Sequence, residues 1–178
     1  MLLRKFIVKN VLNRGLHTTN WLKAEVIKEL SCPVDSYAKI KVKSSVNLKI
    51  LPIDYLSRTE ARLLCSKTSL NDYSEKDFTF KLSNGEATVT KNRDLGDNVE
   101  CILEIPPTCN VNVEVDGNLD VSNFLNEEFL IKATGNINTK DIKSHKVDIK
   151  SENGNIESAG LLLGQKLDIA TGANGVCL

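Results

Sequence analysis

The chain is poor in aromatic residues, which make up 5% of its 178 positions. Surfaces that stack bases or sugar rings are built from such side chains, so neither a nucleic-acid face nor a sugar platform is expected. Neither sign of charge is in excess: Lys and Arg total 23, and Asp and Glu total 23. No global field gathers polyanions, and nucleic acid is not an expected partner. No apolar run approaches the roughly 18 residues that cross a bilayer as a helix, so no membrane span is expected. The glycines stand singly, never as GxGxxG or GxxxxGK, which removes a Gly-rich phosphate loop. The five cysteines, Cys32, Cys65, Cys101, Cys109 and Cys177, are odd in number and form no CxxC pair. Neither a disulfide framework nor a zinc knuckle is signalled, and reduced, mostly buried thiols are the expectation. Asparagine is abundant, yet no N-x-Ser/Thr acceptor occurs, which argues against secretion.

What is present begins with a charge asymmetry. Residues 1–23 carry Arg4, Lys5, Lys9, Arg14 and Lys23 with no acid before Glu25, leaving 18 basic against 23 acidic residues in the remainder, net −5. On a helix, Leu3, Phe6, Ile7 and Val11 share a face opposite Lys5 and Lys9, with Val8, Leu12 and Arg14 out of place. A basic, acid-free, hydroxyl-bearing start resembles a mitochondrial presequence. The spacing Arg14-x-Leu16-x-x-Thr19 looks like its processing signal and puts a mature start near Ala24. Lys9 and Asn10 break the apolar centre that a secretory signal needs. The expected location is the mitochondrion, the matrix ahead of its other compartments. The same stretch also fits a basic strand or a frayed tail.

The rest is long enough for one core, or for two small ones fused along a shared sheet. Residues 24–110 form a first part, and from Tyr37 to Val115 the chain alternates apolar and polar with period two, as in Val46, Leu48, Ile50 or Val99, Cys101, Leu103, Ile105. Asn84-Gly85, Gly96-Asp97 and Pro106-Pro107 punctuate these runs. Such alternation predicts half-buried strands, and an antiparallel β-rich segment is expected here. Residues 60–66 fit a strand or a helical turn, and residues 66–77 read as a polar loop.

From Val111 to Leu178 the alternation becomes a repeat. Val111, Phe129, Val147 and Leu167 step by 18, 18 and 20 residues, and Val113, Ile131, Ile149 and Ile169 keep the same steps. Leu119, Ile137 and Ile156 form a further column, as do Phe124, Ile142 and Leu161. Gly117-Asn118, Gly135-Asn136 and Gly154-Asn155 recur at the joins. A β-rich period near 20 predicts solenoid rungs, with glycine and asparagine at corners that need unusual backbone angles. The aliphatic columns are the expected core, and the three asparagine amides are expected to form a ladder along one edge. A β-sandwich with chance regularity is the alternative. The expected class is therefore all-β: an antiparallel β-rich part leading into a β-solenoid whose last rung is incomplete.

The run GNINTKDIKSHKVDIKSENGNIESAGLLLGQKLDIATGANGVCL, with the preceding ILEIPPTCNVNVEVDGNLDVSN, resembles the putative-adhesin β-solenoid family, a domain of unknown function common in bacteria. GQKLDIATGANGVC is most similar to its eukaryotic branch, the "family with sequence similarity 185" type. The resemblance covers about Glu25 to Leu178 and is strong after Ile102. It implies a solenoid, usually continuing through further rungs, and brings no active-site residues.

The chain's own residues offer little chemistry. His145 stands in KSHKVD beside lysines, with no Ser or Cys nucleophile tied to it by a motif, so a solvated corner side chain is expected. Asp148 and Asp168 share an outward column, as do Asp120, Asn138 and Glu157, and Lys132 and Lys150 stack likewise. Neither column has the G-G-x-G-x-D or EF-hand spacing of a calcium site, so no metal and no cofactor is expected. The expected function is a non-catalytic binding or scaffold protein. An enzyme acting on polysaccharide, as some parallel β-helices do, or a truncated form without independent role are the alternatives. The last rung starts at Leu167 and holds 12 residues where its predecessors hold 18–20. That open end is expected to self-associate, to bind a protein partner, or to continue in a longer protein.

Overall fold

The computed structural model describes residues 25–53, 60–67, 74–93, 99–172 and 175–177. The presequence expectation for residues 1–23 lies outside the described residues. The strands are β1 (Glu25–Pro33), β2 (Lys39–Ser44), β3 (Asn47–Pro52), β4 (Glu60–Lys67), β5 (Phe78–Ser83) and β6 (Glu86–Lys91). They continue with β7 (Val99–Ile105), β8 (Asn110–Val115), β9 (Leu119–Ala133), β10 (Ile137–Ser151), β11 (Ile156–Thr171) and β12 (Val176–Cys177). Among the described residues the only helical element is the 3-10 turn Glu75–Asp77. Period-two patterning writes these strands directly. In β2, KIKVKS buries Ile40, Val42 and Ser44 and turns its three lysines to solvent.

All twelve strands belong to one sheet, ordered β1-β4-β7-β3-β9-β8-β2-β6-β5 with β10, β11 and β12 added in turn beyond β9. β1 and β5, at the two ends of that order, touch each other, so the sheet curls into a nearly closed barrel. β9 serves two neighbours with its two legs. Leu119 to Val121 lie beside Leu48 to Ile50 of β3, while Phe129 to Ala133 lie beside Val111 to Val115 of β8. Between the legs Asn123 takes a left-handed φ of 61° and turns the chain. β10 then pairs in parallel along both legs of β9, and β11 along both legs of β10.

The inside is a single apolar cluster that runs from β1 to β11. Phe124, just past the Asn123 turn, and Phe129, on the second leg of β9, sit with ring centroids 6.3 Å apart. At the far end the β5–β6 hairpin turns at Gly85, whose φ of +95° suits glycine. Phe78 and Phe80 of that hairpin stack at 5.6 Å.

Three expectations change and one open alternative is resolved. Residues 24–110 are not simply antiparallel. β1–β4, β4–β7 and β5–β6 are, but β2 runs parallel to β6 and β8, and β3 runs parallel to β7 and β9. Alternation reports which face is wet, not which way the neighbour runs, so the sequence could not distinguish these. Residues 60–66 form strand. Cys65 and Cys101 are not reduced thiols but a disulfide, since they face each other across β4 and β7 with Cα atoms 4.2 Å apart. One column shifts at β11 and another keeps its register but is not buried there. Gly160, at φ +75°, and Leu161 stand opposite the single Asp141, so the bulge turns Leu161 outward and Leu162 takes its place beside Ile142. Leu167 pairs with Val147 as the spacing requires, yet it is half exposed because it lies on the last full strand of the stack.

Candidate functional site

The repeat residues come together at three places: a corner, a wet face and an end. At the corner, the backbone N–H of Asn118 donates to Asn47 Oδ1 (2.9 Å), that of Asn136 to Asn118 Oδ1 (2.8 Å), and that of Asn155 to Asn136 Oδ1 (2.9 Å). The Asn47, Asn118 and Asn136 side chains each hold the turn of the next rung, so a ladder runs along this edge and ends at the backbone N–H of Asn155. Asn47 is the rung that sequence reasoning missed. Its signal was an Asn-Leu-x-aliphatic run, Asn47-Leu48-Lys49-Ile50 against Asn118-Leu119-Asp120-Val121, without the preceding glycine. Gly154 is buried between Gly135 and Asn136, where an added Cβ would collide with their backbone. Gly117 has a φ of +148°, which disfavours any side chain.

The core columns are packed behind that corner. Val111, Phe129 and Val147 are buried and in register, as are Val113, Ile131 and Ile149. Ile169 is half-buried at the end of its column.

On the wet face of the second legs, the stacked charges answer one another. Lys43 meets Glu114 at 2.9 Å and Lys132 meets Glu152 at 2.8 Å. Asp148 and Asp168, adjacent in register, are bridged by Lys150 at 2.9 and 3.3 Å. In the other column the Asn138 amide donates to Asp120 Oδ1 at 2.7 Å. The Lys43 hydrogen bond holds the Glu114 carboxyl below its ordinary value, and the Asp148 bond holds Lys150 above its own. An open cleft of about 390 Å³ lies among Lys43, Glu114, Asp116, Lys132, Thr134 and Glu152. Its polar groups are turned on each other, Thr134 Oγ1 donating to Asp116 Oδ1 at 3.1 Å. Among the described residues no three His, Cys, Asp or Glu side chains gather as metal ligands do. His145 is exposed on β10, past Asp141, whose φ of 52° turns that strand, and the neighbouring Ser144 hydroxyl donates to the Lys146 carbonyl.

The end of the stack differs from both. β12 covers only Ile156 and Glu157 of β11. Among the described residues no strand lies beyond Leu161 to Ala170. Leu161, Leu163 and Leu167 are 50%, 45% and 48% exposed, and Val176 is 43% exposed. Leu125, on the rung two below, is also open to solvent beside Lys143 and Leu163. Apolar exposure on an edge strand is what a binding surface needs and a solitary surface avoids. No described helix is long and apolar enough to cross a membrane.

No protein-family model matches the chain, and no curated protein does. Among solved structures, it is similar to a "putative cell adhesion protein" of Clostridium sporogenes at 8% identity and a TM-score of 0.47, over 84% of this chain and 97% of that one. A "putative adhesin" of Bacteroides fragilis follows at 9% identity and 0.36, over 84% and 95%. Another "putative adhesin", of Parabacteroides merdae, gives 9% and 0.28, over 88% and 97%. Likenesses this distant carry neither fold nor function across.

Proposed function

We propose that the chain is a non-catalytic β-solenoid binding or scaffold protein of mitochondria that offers its β11 edge to a protein partner. The solenoid reading is supported by parallel, in-register pairing of β8 to β11 at steps of 18–20 residues. The binding role rests on one observation: among the described residues, four of the seven exposed large apolar side chains, Leu161, Leu163, Leu167 and Val176, lie on β11 and β12. The ion pairs of the wet face support a surface that is soluble rather than reactive. Assignment to the eukaryotic branch rests on GQKLDIATGANGVC alone, and import on the acid-free start. Disulfides persist where thiols are not kept reduced. The Cys65–Cys101 bond therefore favours a mitochondrial compartment outside the matrix.

Two measurements test this reading. Residues 1–30 fused to a fluorescent protein are expected in mitochondria, with cleavage near Ala24. A diffuse cytosolic signal overturns import. The tagged full chain, captured from intact mitochondria, is expected to lose its protein partners when Leu161 and Leu163 become lysine. An identical partner set from both forms overturns the edge as the binding surface.

A further inference from the structure

We propose that β11 pairs antiparallel with β11 of a second copy about a twofold axis at Leu167, placing Lys166 of each copy opposite Asp168 of the other. This rests on the reading of the β11 edge as the binding surface and names its occupant. The argument starts from what each charge already has on its inner side. Lys166 stacks on Lys146, a like charge. Asp168 stacks on Asp148, with Lys150 between them at 3.3 Å from Asp168. Lys166 therefore has no anion next to it in its own column, whose one acid, Glu128, lies beyond Lys146 and is paired with Lys39, and on the open side Asp168 can take a further cation.

The sequence Lys166-Leu167-Asp168 reads the same backwards with its charges exchanged. An antiparallel copy supplies both missing counter-charges at once. A parallel copy would set lysine on lysine and aspartate on aspartate, which is destabilising. The same register treats the apolar side chains well. Leu167, half exposed beneath Val147 and Phe129, meets Leu167 of the second copy, so the column Phe129, Val147, Leu167 continues across the axis. Ile169, itself half-buried, comes opposite Gln165. The edge backbone of both strands finds ladder partners. At the other end of the stack β1 and β5 already meet each other, so a head-to-tail filament is not offered. A twofold contact is self-complementary and closes after two copies.

The test is a charge exchange in the full chain, read by sedimentation equilibrium. Lys166→Asp and Asp168→Lys each bring like charges together twice per dimer and are expected to weaken dimerisation at least ~10-fold. The double variant restores both pairs and is expected to return within about threefold of the unaltered chain. Singles and double equally weak, or all unaltered, overturn the register. Should Asp168→Lys unfold the rung, cross-linking decides. In a chain with Cys32 and Cys177 changed to serine, Leu167→Cys is expected to form a disulfide dimer under mild oxidation. Leu163→Cys, whose counterpart would be Thr171, is not. Dimers from Leu163→Cys alone, or a monomeric chain at about 100 μM, overturn the proposal. The capture experiment with Leu161 and Leu163 altered stands apart from these results. A monomer that still loses its partners there refutes the second copy as occupant and leaves the edge as the binding surface.

Discussion

At Gly154 a single methyl group decides whether two rungs can approach. The added Cβ has only backbone to displace, and backbone yields at high cost. Gly154→Ala is therefore expected to destabilise by about 1–3 kcal/mol or more, as overpacking does. Asn136→Ala removes the acceptor for the Asn155 N–H, but Asn136 is exposed and water can replace it. About 0.5–1.5 kcal/mol is expected there. Chemical denaturation of the two variants should rank them in that order, and the reverse ranking would mean that the rungs can spread. The core columns give a second contrast. Ile149 is fully buried with a rung on each side, so Ile149→Ala is expected to cost about 2–5 kcal/mol. Leu167→Ala, half exposed in a single copy, is expected to cost less than about 1.5 kcal/mol at concentrations where the chain is monomeric. Equal losses would show that Leu167 is covered. The asparagine ladder was legible because side chain and position repeat together. The inward column position of Leu167 was legible too, but its exposure was not, since spacing says which way a residue points and not whether a neighbour follows.

The strands themselves were legible from alternation, and their partners only in part. Parallel neighbours announce themselves when the chain repeats, as β9, β10 and β11 do. They are silent when strands from distant stretches meet, as β3 meets β7 and β9. The disulfide shows the same limit. Cys65 and Cys101 are 36 residues apart, and nothing local says that β4 and β7 set them face to face. Opening that loop by reduction, or by changing both residues to serine, is expected to cost about 2–4 kcal/mol. A melting temperature unmoved by reductant would argue that the bond does not form. Cys109 should behave oppositely. Burial pushes its thiol up to about 11, so alkylation at neutral pH is expected to spare it until the protein unfolds.

The wet-face ion pairs act on the molecule as a whole. Glu114 and Glu128 are held below their ordinary 4.5 by hydrogen bonds from Lys43 and Lys39. Their contribution is present above that value and is lost as pH falls through the lowered one. Lys132 and Lys150 are held above their ordinary 10.5, first by the hydrogen bonds of Glu152 and Asp148. Their contribution is present below that value and is lost as pH rises through the raised one. The melting temperature is expected to be nearly flat from roughly pH 5 to 10 and to fall on either side. Because these pairs are exposed, high salt should change it little. A steep change near pH 6–7 would contradict this account.

Among the described residues, the strands form a stack closed at one end by β1 and β5, and at the other end no strand lies along Leu161 to Ala170 of β11. Amide hydrogen exchange followed residue by residue at two protein concentrations tests that asymmetry most directly. In dilute solution the amides of β10, bonded on both sides, are expected to exchange slowly, while alternate amides from Leu161 to Ala170 exchange fast. Raising the concentration should slow the β11 edge and leave β10 unchanged. Edge amides as slow as those of β10 in dilute solution, or indifferent to concentration, would contradict an open edge that binds a second copy.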